Sequence, residues 1–416
     1  MHKGIKLVLF LALFTFLSGC EDMIEVERES FVIAVGIDRT NQDGIYLFTF
    51  QIANPNIANS MMGNGGSEPD EIISILGSDI MTAKDKADTI VTKKISLDHT
   101  VVFVISEELA RSGDFLRVIQ PTSRTTHMRH DIQIIVSKER AELFLNNNHP
   151  SLDQKPYKYF QYKITQTRQT GIIPDADLHR FLQITEGDAD LFLAIYATTQ
   201  HQQVEEEEKS EDQYIAGELL QKGGNDTQFM GSAVFKEGTM IDILTGQETR
   251  IANLLDKSVP LSDVLVTYLD PISPEFFISG NYIQRKDPEI KIDYNTKQNH
   301  ATINITVPFE FEILAIPSLT NYAKSSENKQ ILEKHLVEVN TTLAKNFIEK
   351  TQKKYRSDPF YWSIYIRKYF KDIPSYEEAD WHNNIYPNAE INIEYKLKRL
   401  QFGKTLTDTN LDKVRD

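Results

Sequence analysis

The chain has 416 residues, of which 40% are hydrophobic and 25% charged, and its formal net charge is −15. This composition is typical of a globular protein with two or three domains, each large enough to bury its own core. The strong negative charge argues against nucleic acid as a partner and against electrostatic adhesion to anionic lipid.

The N-terminus carries the pattern of a secretory signal peptide, which we predict for residues 1–19. Two lysines precede an apolar run from residue 7 to residue 17. That run is well short of the roughly twenty residues that a helix needs to span a bilayer. A charged start, a short apolar stretch and small residues at its end are the marks of a cleaved export signal.

A short motif around the only cysteine follows this run. Leu17, Ser18 and Gly19 lead directly to Cys20, an order that resembles the lipobox of bacterial lipoproteins. The resemblance implies cleavage before Cys20 by a signal peptidase that recognises the three preceding residues. It also implies that the thiolate, a strong nucleophile, carries a diacylglyceryl group and that the new N-terminus is acylated. Two acyl chains give stable anchoring, whereas one binds only marginally. The alternative is a buried cysteine in an ordinary N-terminal helix.

The first half of the chain predicts strands and helices in mixed order. Residues 31–38 and 45–55 read as a β-hairpin, because residues typical of turns separate them. From Glu71 to Ile90 apolar residues recur every three or four positions, which predicts an amphipathic helix. Ser106 is expected to cap a short helix with an acidic first turn. The other predicted elements are strands at 100–106, 131–137 and 191–197 and helices at 139–145 and 177–183.

An acidic block at residues 204–213, VEEEEKSEDQ, marks the main predicted domain boundary. Blocks of like charge repel and stay solvated, so we interpret it as a linker. A functional acidic tail or a calcium site is the alternative, but the glycine-turned spacing of a calcium loop is missing. The predicted divisions are a signal peptide (1–19), an N-terminal α+β domain (20–145), a second α/β segment or small domain (146–204), an acidic linker (205–213), a C-terminal α+β domain (214–403) and a polar tail (404–416).

The second half predicts a further α+β domain with a long helix before its last strand. Pro308 interrupts an alternating strand and indicates a sheet edge or a bulge. Apolar residues from Leu332 to Phe347 predict a helix of about thirty residues. Asp358, which precedes a proline, is expected to cap the next helix. The other elements are strands around 231–244, 276–284, 289–295, 301–314 and 389–400 and a helix at 249–256. The fold class is therefore multi-domain α+β, with mixed or antiparallel sheets, each packed with helices.

The sequence offers no set of residues that predicts catalysis or metal binding. His127 and His130 stand three apart, but the segment leads into a strand, so we interpret them as surface histidines. The stretch 63–68, GNGGSE, lacks the preceding strand and the following Lys-Ser/Thr of a phosphate loop. We therefore expect no catalytic residue, no metal and no cofactor other than the lipid on Cys20.

Aromatic and basic residues cluster near the C-terminal end of the chain. They are Trp362, Tyr365, Arg367, Tyr369 and Trp381. One interpretation is core packing with polar tips outward. The other is a partner surface, because aromatic residues and arginine are enriched at the centres of protein interfaces.

Taken together, these segments resemble the Ger(x)C family, the lipoprotein C subunits of spore germinant receptors. The resemblance covers nearly the whole mature chain, and it departs at the loop 61–69 and at the long acidic linker. The stretches that carry it are the lipobox, FVIAVGIDRT, YLFTFQIANP, LDHTVVFVISEELARSG, GSAVFKEGTMIDILTGQETR, SDPFYWSIYIRKYF and DWHNNIYPNAEINIEYKLKRLQFG.

The resemblance implies a non-enzymatic, lipid-anchored subunit of a nutrient germinant receptor, needed for receptor assembly and function in spore germination. Its place would be the outer face of the cell or spore inner membrane, beside multi-spanning A and B subunits. One alternative is a solute-binding lipoprotein of a transporter, which requires two similar α/β lobes. A second is a cell-wall enzyme, which requires the missing catalytic residues.

Overall fold

The computed structural model describes most of residues 28–403. In the part of the chain that it describes, no helix is both long and apolar enough to cross a bilayer. Several predictions fall on residues outside the described part: the signal peptide, the lipobox with Cys20, the loop 61–69, His127, residues 205–209 and the tail 404–416. The described residues are 28–53, 70–126, 128–150, 156–187, 190–201, 210–259, 261 and 263–403.

In the described residues, strands β1–β9 form one sheet and strands β10–β14 a second. The strands are β1 Glu29–Arg39, β2 Tyr46–Ala53, β3 Asp70–Gly77, β4 Lys94–Ser96, β5 Val102–Ser106, β6 Gln133–Ser137, β7 Phe192–Thr198, β8 Gln228–Lys236, β9 Thr239–Leu244, β10 Asp263–Leu269, β11 Phe277–Ile283, β12 Glu289–Asn295, β13 His300–Ala315 and β14 Glu390–Gln401. The α-helices are α1 Ile80–Ala87, α2 Glu107–Ala110, α3 Phe115–Ile119, α4 Ala141–Asn147, α5 Pro156–Gln169, α6 Leu178–Glu186, α7 Gly246–Leu255, α8 Ser326–Lys350, α9 Ser363–Ile366, α10 Ile373–Ala379 and α11 Tyr386–Asn388.

The first sheet is mixed, with the order β3-β2-β1-β5-β6-β7-β8-β9 and β4 beside β1. β1 and β2 pair antiparallel, with Val35 opposite Phe50, which confirms the predicted hairpin. β5, β6 and β7 run parallel to β1. Parallel neighbours need crossover connections, and the helices between these strands supply them. The mixed α+β class is therefore confirmed.

The predicted helix from Glu71 to Ile90 is wrong in its first half. Residues 70–77 form β3, which pairs antiparallel with β2, and α1 begins only at Ile80. Asp79 accepts hydrogen bonds from the backbone N–H groups of Met81 and Thr82 and so fixes the start of the helix. The apolar spacing before Asp79 fits a half-buried edge strand as well as a helix, and pairing with β2 decides between them.

Ser106 occupies the N-cap position of α2, as predicted, but its side chain makes no capping hydrogen bond. Its Oγ is buried and has no hydrogen-bond partner among the described residues. The capping role assigned to this hydroxyl is therefore wrong. The acidic first turn, with Glu107 and Glu108, is present as expected.

The second sheet has β13 at its centre. β12 pairs with residues 300–306 of β13 and β11 with residues 310–315, both antiparallel, while β14 runs parallel along 302–312. Pro308 therefore falls in the gap between β12 and β11, and a register shift with β14 follows it at Phe309 and Glu310. The edge or bulge predicted from this proline is confirmed. A single apolar cluster joins the buried face of β13 to α8.

The division between the two sheets differs from the predicted linker at 205–213. β7 and β8 lie on either side of that segment and pair antiparallel, so the first sheet continues through β9. The second sheet begins only at β10. Ser210 and Asp212 are buried, and Asp212 pairs with Arg250 at 2.7 Å. The described end of the acidic block is therefore packed rather than solvated, because its carboxylate has a buried partner.

Candidate functional site at the Asp358 junction

One buried carboxylate organises the C-terminal aromatic segment. Asp358 is 0% exposed, and its Oδ1 accepts hydrogen bonds from the backbone N–H groups of Phe360 at 3.0 Å and Trp362 at 3.1 Å. Its Oδ2 accepts from the indole N–H of Trp381 at 2.8 Å. The predicted helix cap is wrong, because Trp362 occupies the N-cap position of α9 and no side-chain capping hydrogen bond is made there. Asp358 instead fixes the turn before α9, and the same side chain holds the indole of Trp381.

The same segment joins the C-terminal region to the first sheet. The carbonyl oxygen of Asp358 accepts a hydrogen bond from the N–H of Leu191 at 2.8 Å, directly before β7. The neighbouring Asp190 accepts from the hydroxyl of Ser363 at 2.7 Å. Asp190 has φ = 74°, a left-handed conformation that Asp and Asn adopt more readily than most residues. These contacts place Asp190 and Asp358 side by side in the interior.

Two acids in one buried site repel each other when both are charged. Burial and the charge of Asp358 raise the pKa of Asp190 well above its ordinary value. Burial also raises the pKa of Asp358, while the N–H groups of Trp362 and Trp381 lower it. Oδ1 of Asp190 is buried and has no hydrogen-bond partner among the described residues, so no donor stabilises a charge on that oxygen. Asp190 is therefore the member of the pair that takes up a proton more readily.

Replacing Asp190 by asparagine is expected to raise the free energy of unfolding at pH 7, because it removes an ionisable group whose charged form is disfavoured by burial and by the charge of Asp358. The folded pKa of Asp190 lies above its ordinary value of 3.8. The folded state therefore keeps a proton that the unfolded chain releases, and wild type loses stability as pH rises from about 4 through the folded pKa. Asparagine fits the same backbone and does not titrate.

Urea unfolding of wild type and Asp190→Asn between pH 4 and pH 8 measures this difference. The stability gain of the variant should grow with pH, because only wild type carries the penalty. A gain that stays constant over this range, or a variant less stable than wild type at pH 7, would show that Asp190 is not held protonated.

The structure separates the five residues of the predicted partner surface. Trp362 and Trp381 are buried, so assigning them to a surface is wrong and core packing is confirmed for both rings. Tyr365 is half-buried, with Lys257 Nζ 5.3 Å from its ring centroid.

The other two members of that set lie at the surface. Arg367 is exposed, and its guanidinium lies 5.2 Å from the ring centroid of Tyr376. Tyr369 is 37% exposed and donates from its hydroxyl to the Ile292 carbonyl at 2.6 Å. Arg367 and Tyr369, flanked by the half-buried Tyr365, are what remains of the predicted surface.

Residues with metal-binding chemistry do not converge in the described part of the chain. His130 stacks on His179 at a centroid distance of 6.4 Å, while His127 lies outside the described residues. Across the described ranges, no group of three or more His, Cys, Asp or Glu side chains is arranged to hold a metal ion.

Comparison with known families assigns the chain. The model of the spore germination protein N-terminal domain matches residues 22–198, and that of the spore germination B3/GerAC-like C-terminal domain matches residues 230–403. The chain belongs to the GerAC-like family of spore germination proteins. This family consists of germinant receptor C subunits, which are membrane-associated and belong to receptor complexes, and it is not a known enzyme family. The predicted family and the predicted lack of enzymatic activity are thus confirmed.

Individual GerAC-like relatives agree with this assignment. Spore germination protein KC of Bacillus subtilis is 34% identical over 146 residues, which span 34% of this chain and 36% of that protein. Spore germination protein B3 of the same organism is 21% identical over 97% of this chain and 99% of its own length. The crystal structure of the GerBC protein aligns with a TM-score of 0.51 and 15% identity, over 88% of this chain and 96% of that one. The last match shows a shared fold.

Proposed function

We propose that this chain is the lipid-anchored C subunit of a nutrient germinant receptor, held at the outer face of the inner membrane through Cys20. Membership of the GerAC-like family supports the receptor role, and the lipobox directly before the N-terminal family domain supports the anchor. The net charge of −15 favours a lipid anchor over electrostatic adhesion to anionic lipid. The proposed anchor depends on the position of Cys20 directly after Leu17, Ser18 and Gly19, with its thiol as the acceptor of the diacylglyceryl group and its new N-terminus as the acceptor of the N-acyl chain.

The subunit assembles with multi-spanning A and B subunits and acts in germination through that assembly. Its described interior supports a scaffold role, because the residues of the C-terminal motif serve packing. Asp358 holds Trp362 and Trp381 in the core through hydrogen bonds. The alternative of a two-lobed solute-binding lipoprotein has no support in the fold, because a nine-stranded mixed sheet and a five-stranded sheet are not similar lobes.

Replacing Cys20 by alanine is expected to abolish lipidation, because it removes the only thiol of the chain. In spores that lack the cognate A and B subunits, wild type should sediment with membranes and incorporate label from radioactive palmitate. Cys20→Ala should lose essentially all of the label and remain unprocessed. The described fold begins at residue 28, so the thermal unfolding temperature of the folded part should stay unchanged.

The matched control is Ser18→Ala, which keeps a small residue in the lipobox and the acceptor thiol in place. It should be labelled and fractionated like wild type. Equal palmitate labelling of wild type and Cys20→Ala would contradict the anchor. If Cys20→Ala loses its label but still supports germination fully, the anchor stands and its importance for receptor function is refuted.

A further inference from the structure

A partly enclosed cavity of about 230 Å³ lies between α7, α8 and the strands β10, β11 and β14. Its apolar lining includes Leu254, Val266 and Val339, and Ser210, Asp212 and Gln213 lie along one side. A cavity of about 150 Å³ holds a benzene molecule, so this volume accommodates a ring with substituents. The cavity lies in the interior of the second sheet region, away from the Asp358 junction.

The charged groups beside the cavity pair with each other. Arg250 is buried, and its Nη1 lies 2.7 Å from Oδ2 of Asp212 and 3.4 Å from Oε1 of Glu211. Its Nε donates to the carbonyl oxygen of Thr170 at 3.1 Å. The other carboxylate oxygen of Asp212 accepts from Ser210 at 2.8 Å and from Gln247 at 3.2 Å. A charged ligand would have to break this pair at the cost of leaving a buried charge alone. The lining therefore favours an uncharged ligand.

Three tyrosines form aromatic walls. Tyr268, Tyr282 and Tyr395 are buried and line the cavity, and burial raises the pKa of each above its ordinary value. They therefore stay neutral at physiological pH. Aromatic side chains pack well against other flat rings in offset or edge-to-face arrangements. The lining of the cavity therefore fits a planar aromatic ring best.

One lining side chain has an unused polar atom. Nε2 of His335, on α8, is buried and has no hydrogen-bond partner among the described residues. A buried polar atom without a partner carries a free-energy penalty that a ligand can relieve. One turn further along α8, Asn340 accepts a hydrogen bond from the hydroxyl of Tyr268 at 3.0 Å, so that amide oxygen is already engaged. A ligand therefore gains the most binding free energy from a hydrogen bond to His335.

We propose that this cavity binds an uncharged heteroaromatic compound of the nucleobase type, with a polar ring edge hydrogen-bonded to Nε2 of His335. Because Arg250 is already paired with Asp212 and Glu211, it offers no partner to the carboxylate of a zwitterion such as a free amino acid. The tyrosine walls and the aliphatic lining favour a flat ring over a flexible polyol. This site is independent of the lipid anchor, since it uses no residue of the lipobox.

Saturation-transfer NMR of the lipidated full-length chain in detergent, with adenine as the probe, tests the proposal. Wild type should transfer saturation to adenine, and a titration should give a dissociation constant. Val339→Trp, which fills the cavity, should reduce the transfer to background. Ile331→Trp places the same ring at a 41% exposed position of the same helix and should bind like wild type. His335→Ala should weaken binding about 2- to 10-fold, the effect of one hydrogen bond.

Parallel titrations with glucose and L-alanine distinguish the ligand classes. Saturation transfer to adenine alone, lost in Val339→Trp and weakened in His335→Ala, supports the proposal. No transfer to adenine in wild type overturns it, as does equal binding by His335→Ala and wild type. Binding of glucose or L-alanine without adenine overturns the assigned class. If Val339→Trp fails to fold, as judged by its unfolding temperature, the His335→Ala titration decides alone. None of these outcomes bears on palmitate labelling of Cys20.

Discussion

Asp358→Ala is expected to lower the free energy of unfolding by about 3 kcal/mol or more. The substitution leaves three buried donors without their acceptor, namely the backbone N–H groups of Phe360 and Trp362 and the indole N–H of Trp381. Each buried donor that loses its partner costs about 1–3 kcal/mol. Without the charge of Asp358 the pKa of Asp190 falls toward its ordinary value, which offsets part of this loss. A change of this size is a large fraction of the 5–15 kcal/mol that typically holds a protein folded.

Urea unfolding followed by tryptophan fluorescence measures this effect, because both tryptophans of the chain contact the Asp358 site through its hydrogen bonds. Asp358→Asn keeps one acceptor oxygen and should fall between wild type and alanine. Asp372→Ala is the matched control, since Asp372 also accepts a backbone hydrogen bond, as the cap of α10, but is exposed. If Asp358→Ala and Asp372→Ala lose equal stability, the buried junction has no special importance.

Gly231→Ala is expected to destabilise the fold by about 3 kcal/mol, through two separate effects. Gly231 has φ = 84°, and a Cβ atom placed on it would lie 2.2 Å from the carbonyl oxygen of Leu244. A left-handed conformation costs a residue with a side chain about 1 kcal/mol or more. The clash adds to this cost, because the carbonyl belongs to the backbone of β9, which pairs with β8, and cannot rotate away.

Gly44 provides a control that isolates the second effect. It has φ = 75°, but nothing lies within 4 Å of the Cβ position. Gly44→Ala should therefore lose only the conformational cost, about 1 kcal/mol. The difference between the two variants, measured by urea unfolding, reports the clash. Equal losses at both positions would mean that the β8–β9 region relaxes around the new methyl group.

The sequence predicted the second sheet region better than the first, for a physical reason. β13 alternates strictly between buried and half-buried or exposed residues through Leu314, and α8 has long, regular apolar spacing, so each has a clear period. In the segment from Ile72 to Leu76, four of five residues are apolar, which suits either period, and the choice depends on pairing with β2. β10 and α5 had no predicted counterpart. α5 has few apolar positions, whereas β10 is as long as β11 and β12, and its length does not explain the miss.

The residues of the candidate site were also predictable only where a local sequence pattern points to them. Asp358 attracted notice because a proline follows it, although the predicted helix cap is wrong. Asp190 did not, since its importance comes from its position beside Asp358 in the folded chain, and no local pattern records that distance. The pair of Arg250 and Asp212 was hidden for the same reason, within a block of acids that reads as solvated. Burial of Trp362 and Trp381 follows from their hydrogen bonds and packing, which neither spacing nor composition reveals.

The parallel pairing of β13 with β14 also constrains the order in which the molecule folds. These strands are 74 residues apart in sequence, since residues 316–389 separate them, and contacts between distant segments form slowly. Until β14 docks, one whole edge of β13 offers unpaired backbone groups, and such edges recruit strands from other molecules. A nascent or truncated chain that stops before residue 390 is thus an aggregation hazard. Protection of the β13 edge by a chaperone therefore matters most before this last step of folding.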